Sequence, residues 1–171
     1  NTAGRGNSAF GTAALQGIST GNNNTGVGKF ALLMNSLGSG NTAVGSEALM
    51  FNSASSNTAV GFGALHSNLS AIDTANVAMG VEALYNNRTA NNTAIGHRTL
   101  YENITGTANV AMGTEALYRN TASNNSAYGF QALRNNTRGA GNVGIGIRAL
   151  ANNNGAANNN VAIGFEVLNT N

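Results

Sequence analysis

The residues able to do chemistry are few and scattered. The chain of 171 residues has two histidines, His66 and His97, one aspartate, Asp73, five glutamates, one lysine, seven arginines and no cysteine. Metal centres draw on converging His, Cys and carboxylate ligands. The two histidines stand at different points of a repeat and have no obvious co-ligands, so no metal site is expected. Without cysteine there are neither disulfides nor thiolate ligands. Glu47, Glu82, Glu115 and Glu166 imitate paired catalytic carboxylates, but Arg98 and Arg148 occupy the same repeat position, which makes the column structural. The glycine-rich stretches lack the Gly-Lys-Ser/Thr of a phosphate loop, and a single Asp cannot build a calcium-binding β-roll. No catalytic residue and no cofactor is therefore expected. The remaining candidates are aromatic. Tyr85, Tyr101 and Tyr118 each follow a leucine in three consecutive copies of the repeat. They could form a stripe that contacts a sugar or a surface, or a stack that only stiffens the chain.

The elements that position these residues come from an internal repeat, the feature to seek first in any such chain. Its unit is Asn-Thr-Ala-Val-Gly-x-x-Ala-Leu-x-x-Asn followed by a variable linker. Copies start at Asn7, Asn24, Asn41, Asn57, Asn76, Asn92, Asn109, Asn125, Asn142 and Asn160, at spacings of 16 to 19 residues. A glycine stands in every copy, from Gly11 to Gly164, and a leucine in every copy, from Leu15 to Leu168. A second Asn column runs from Asn35 to Asn171, with Ile18 in its place in the first copy. The length variation falls between this second Asn and the next start, where a stacked solenoid tolerates insertions.

Charged residues make up 8% of the chain and hydrophobic residues 42%, against about 25% charged in ordinary soluble domains. The regular placement of the apolar residues argues against disorder. The net charge of +2 comes without a basic cluster, which disfavours nucleic-acid binding. No apolar run reaches the roughly 18 residues of a membrane helix, and no signal peptide opens the chain. Seven Asn-x-Ser/Thr sequons, at Asn23, Asn68, Asn87, Asn91, Asn103, Asn124 and Asn135, are close to what the Asn, Ser and Thr content gives by chance.

Thr-Ala-Val-Gly reads as a brief strand. Stacked copies would pair these strands in parallel and in register at about 4.8 Å, giving a rod about 50 Å long. Leu and the residue before Gly are the large apolar positions and are expected inside the coil. The invariant Gly implies a positive φ or a close backbone approach. In-register Asn columns can form amide ladders, and Asn is also a good corner residue. Gly-x-x-Ala-Leu is expected to be an extended arc or strand, with a helical turn as the alternative. No two adjacent coils carry the same charge in the Glu/Arg column, which suggests an alternating charge ladder. Alternation puts Ala43 and Gly45 opposite Val44. This uniformly small face is expected to admit a neighbouring subunit, unless tight coil geometry alone demands it.

The segments Asn57-Thr58-Ala59-Val60-Gly61 and Asn76-Val77-Ala78-Met79-Gly80 resemble the Ser-Val-Ala-Ile-Gly repeats of trimeric autotransporter adhesin heads. Asn92 to Leu100 is similar to repeats of bacterial and phage tail-fibre proteins. The resemblance covers nearly the whole chain. It departs in the coil length, which exceeds that of adhesin heads, and in the lack of a coiled-coil stalk or membrane anchor. It implies an all-β fold, a parallel β-solenoid or β-roll of about ten 16–19-residue coils, trimeric, in an adhesive head or fibre shaft outside the cell or on a virion. The expected domain is one array over residues 1–171, without terminal caps and so a fragment of a longer fibre, or a unit that stacks end to end. Expected partners are further copies of the chain and a host-surface or glycan receptor. The alternatives are a self-assembling extracellular filament and an ice-binding solenoid; Val77, Val110, Val143 and Val161 interrupt the Thr column that the latter would use.

Overall fold

The computed structural model describes residues 4–69 and 75–170. Asp73 and Asn171 lie outside the described residues, as do Asn1, Thr2 and Ala3. The described chain is a β-solenoid without a helix. Each repeat contributes one three-residue strand, from Ser8–Phe10 and Thr25–Val27 through to Val143–Ile145 and Val161–Ile163. These ten strands form a single parallel sheet in chain order. Register is strict: Thr42 pairs with Thr58, Ala43 with Ala59, Val44 with Val60. A second parallel sheet of six two-residue strands, Phe51–Asn52, Ser67–Asn68, Asn86–Asn87, Glu102–Asn103, Arg119–Asn120 and Asn135–Asn136, runs along another side of the rod.

Between the two sheets, Gly-x-x-Ala-Leu is neither strand nor helix. It is a pair of overlapping tight turns. In the third coil the Ala48 N–H donates to the Gly45 carbonyl (3.4 Å) and the Met50 N–H to the Glu47 carbonyl (3.3 Å). The third residue of each turn has positive φ, 62° at Glu47 and 51° at Leu49, as type II turns require. The N–H groups left over reach the neighbouring coils, Glu47 to the Lys29 carbonyl (2.9 Å) and Leu49 to the Ala64 carbonyl (3.0 Å). Every leucine of the column has φ between 49° and 55°, a conformation costing an L-residue about 1–2 kcal/mol. Burial of the same side chains, fully enclosed from Leu32 to Leu150, offsets that cost at about 1.5–3 kcal/mol each.

The expected filling of the coil is half right. Leu points inside. The residue before Gly points out: Phe10, Val27, Val44, Met79, Met112, Tyr128, Ile145 and Ile163 are all exposed. The strand alanine takes the inner place instead, and Ala43, Ala59, Ala78, Ala94, Ala111 and Ala127 have no exposed surface. The coil is too thin to hold both a leucine and a second large side chain. The same finding corrects the small-residue face. Ala43 is not open to a neighbouring subunit, because it packs beneath the leucines. Gly45 is small because the next coil is close: a Cβ there would lie 2.5 Å from the Gly61 carbonyl oxygen, and its φ is 133°. Tight coil geometry accounts for both columns.

The Asn columns are buried ladders. In the first, each backbone N–H donates to the side-chain oxygen of the Asn below, from Asn24 on Asn7 (2.9 Å) to Asn160 on Asn142 (2.9 Å). In the second, each amide nitrogen donates to the amide oxygen below, as Asn103 to Asn87 (3.0 Å) and Asn120 to Asn103 (3.0 Å). Both columns also bind loop carbonyls; Asn41 and Asn52 share that of Ala54 at 2.9 and 2.7 Å. These bonds satisfy backbone groups at the two corners that no strand partner reaches.

Candidate functional site: the outer columns

Two outer columns of the rod carry surface chemistry. The first is the position after the buried leucine. Because Leu turns inward, its successor turns outward at the head of the second sheet. The expected tyrosines come together there: Tyr85 and Tyr101 stack at 5.2 Å between ring centroids, and Tyr101 and Tyr118 at 5.3 Å. The stack is longer than the tyrosines alone. His66 lies parallel to Tyr85 at 4.5 Å, and Phe51 meets His66 edge-on at 5.2 Å. At the other end the Arg134 guanidinium sits 5.1 Å from the Tyr118 ring. The inner ring faces of this ladder are therefore occupied by one another, leaving edges and hydroxyls towards solvent. His66 shares the tyrosine column by sequence, since it too follows the leucine. His97 lies elsewhere, exposed after Gly96.

Charges flank the ladder. His66 Nε2 lies 3.8 Å from the Glu47 carboxylate, and its Nδ1 bonds the Ser67 hydroxyl at 3.0 Å. Burial pulls the imidazole below its usual pKa, against the smaller upward effect of Glu47. Burial raises the Tyr85 and Tyr101 hydroxyls, helped by Glu47 and Glu82 at the first and Glu82 at the second. The alternating charge column forms contacts in part. Arg98 pairs with Glu82 at 2.6 Å, and Arg148 with Glu166 at 3.1 Å. Glu115 instead turns to Arg134 at 2.8 Å and Gln131 at 2.9 Å. The hydrogen bond from Arg134 holds its carboxyl below the usual range, aided by Gln131 and opposed by burial.

The second column is the one before Gly. It places ten apolar or aromatic side chains in a row, from Phe10 to Ile163, on the outer face of the ten-stranded sheet. Phe62, Val81, Phe130, Ile147 and Phe165, exposed just after the glycines, widen it. The signal for this orientation is in the sequence. The inner column varies only between Ala and Gly, whereas this one ranges from Val to Tyr.

Among the described residues no three His, Cys, Asp or Glu side chains gather as a metal site would require. Of the sequons, Asn68, Asn87 and Asn103 are enclosed in the ladder, while Asn23, Asn91 and Asn124 sit exposed at positive-φ corners. No known protein family, curated protein or solved structure matches the chain.

Proposed function

We propose that this chain is a structural and adhesive module of an extracellular fibre, in which three rods associate side by side through the apolar column before Gly. It carries no chemistry of its own, and its work is rigidity and repeated surface contact. The observation that carries this reading is the outward apolar column, eight of whose ten side chains are exposed, from 37% at Val27, Tyr128 and Ile145 to 78% at Phe10, with Val60 and Ile95 half-buried. Monomeric soluble proteins rarely leave so long an apolar strip bare. Its pitch is that of the coils themselves, so the partner that matches it along the whole rod is another copy. Symmetric association is the usual way for identical chains to cover such a strip. The opposite sides, with the tyrosine ladder and the amide-rich corners, then face outwards.

The test uses the absence of cysteine. In a Val44→Cys variant, parallel in-register copies bring identical residues together, so oxidation should give homotypic disulfides. Light scattering should give three times the chain mass across a dilution series. A monomer that does not cross-link would defeat the proposal. A monomer showing thermal hysteresis would favour ice binding, for which the outward Thr25, Thr42 and Thr58 beside Val27, Val44 and Val60 supply a regular surface.

A further inference from the structure

The repeat is broken at one place on the outer side of the six-stranded sheet. The residue after the second Asn is Ser36, Ser53, Thr121, Thr137 or Asn154 in other coils, but Leu69, Arg88 and Ile104 in three successive ones. Packing does not explain the change, since Leu69 and Ile104 remain 53% and 47% exposed. Nor does ion pairing among the described residues. Arg98, Arg119, Arg134 and Arg148 each hold a glutamate, whereas Arg88 forms no ion pair with any described residue. These three side chains and the outward Ser67, Asn86 and Glu102 enclose a cleft of about 280 Å³, close to the lower bound of about 300 Å³ for ligand pockets.

The lining has a definite chemistry. Leu69 and Ile104, two rungs apart, stand about 10 Å from one another at the strand spacing. Between them Arg88 donates, the Asn86 amide donates and accepts, the Ser67 hydroxyl, already bonded to His66 Nδ1 at 3.0 Å, keeps an acceptor lone pair, and the Glu102 carboxylate accepts. Glu102 also meets Arg119 at 3.3 Å. One cation and one anion in the lining disfavour a charged ligand of either sign. Two aliphatic walls with convergent donors and acceptors complement a ring whose edges are hydroxyls and whose faces are C–H groups. We infer that this cleft binds one hexose-sized unit of an uncharged surface glycan. The inference rests on the adhesive reading above and names the receptor class for it. A single shallow site binds weakly, and parallel rods would raise avidity.

Saturation-transfer NMR with the methyl glycosides of galactose, glucose, mannose, N-acetylglucosamine and N-acetylgalactosamine tests it. At least one should receive saturable transfer from the protein. Leu69→Ser, Arg88→Thr and Ile104→Thr together restore the ordinary occupants of the column, so the triple variant should fold as before while its signal falls about tenfold or more. No transfer to any of the five, or equal transfer to wild type and variant, overturns the inference. The two proposals fail separately: cross-linked trimers without sugar binding would remove only the cleft, and sugar binding by a monomer would remove only the fibre association.

Discussion

Backbone conformation at single residues decides whether a coil can close. Gly45 and Gly63 illustrate two levels of constraint. At Gly45 an added Cβ would meet the backbone of the next coil at 2.5 Å, and backbone cannot step aside without parting the rungs. Gly45→Ala should cost more than about 3 kcal/mol in denaturant unfolding, placing it among the severe substitutions. At Gly63, φ is 60° and the nearest atom is a Tyr85 ring carbon at 3.2 Å. Gly63→Ala should cost about 1–2 kcal/mol, the price of a left-handed L-residue. Other coils place Ala13, Glu47 or Gln131 at this position, all with positive φ. Ala13→Gly should therefore stabilise by about 0.5–1 kcal/mol, the strain relieved less the added freedom of the unfolded chain. The buried amides act differently. Asn109→Ala would leave the buried Asn125 backbone N–H, now bonded to Asn109 Oδ1 at 2.9 Å, without that partner, while the Ala122 carbonyl would keep its bond from the Asn120 amide at 2.7 Å. Such an orphan costs about 1–3 kcal/mol, so this variant should melt below wild type.

Columns, not residues, are the elements of this fold, and their charges are tested as columns. Arg98 stands between Glu82 and Glu115 in successive rungs, so Arg98→Glu would set three carboxylates in a row. Thermal melting should show a larger loss for Arg98→Glu than for Arg138→Glu at an exposed loop position; equal losses would mean the column has no electrostatic role. Acid acts on the same side of the rod in two windows. The folded state holds His66 below its usual pKa of 6.5, so folding favours the neutral ring. That contribution is complete above 6.5 and is lost as pH falls through the lower folded value. Glu115 is likewise held below 4.5, and its contribution is lost only further into acid. Melting temperatures recorded from neutral to acidic pH should fall in both windows, and His66→Tyr, which extends the tyrosine ladder, should abolish the upper one. The repeat made the column order, parallel register, amide ladders and tyrosine stack legible, because equal spacing brings equal residues together in any stacked coil. Hydrophobicity ranks Val above Ala for burial, whereas the strand buries Ala43 and exposes Val44. The constancy of Ala43 and its equivalents carried the answer, since a fixed coil section admits one residue size inside. The paired turns escaped periodicity because their identity lies in φ, which Glu47 and Leu49 do not advertise as Gly would.

For the whole molecule the balance is between a thin interior and a bare exterior. Each coil contacts its two neighbours and contributes one leucine and a few alanines to the core, so stability accumulates along the rod as a sum of rung-to-rung terms. The interior is completed by hydrogen bonds at both corners, while the apolar column before Gly is left to water in a single chain. Association that covers it must stabilise folding in proportion to concentration, because the covered form is folded and the unfolded chain cannot pair in register. Replacing Val44, Val60 and Ile95 together by Thr keeps β-branched residues on the strand and changes no inner contact. Wild type should therefore melt at higher temperature as its concentration rises, with light scattering reporting an assembly. The triple Thr variant should melt at a temperature independent of concentration and scatter as a monomer, with its far-ultraviolet circular dichroism unchanged. Equal concentration dependence in the two proteins would place the association on some other face. Independence in both would mean that the rod tolerates its apolar stripe in water as a single chain.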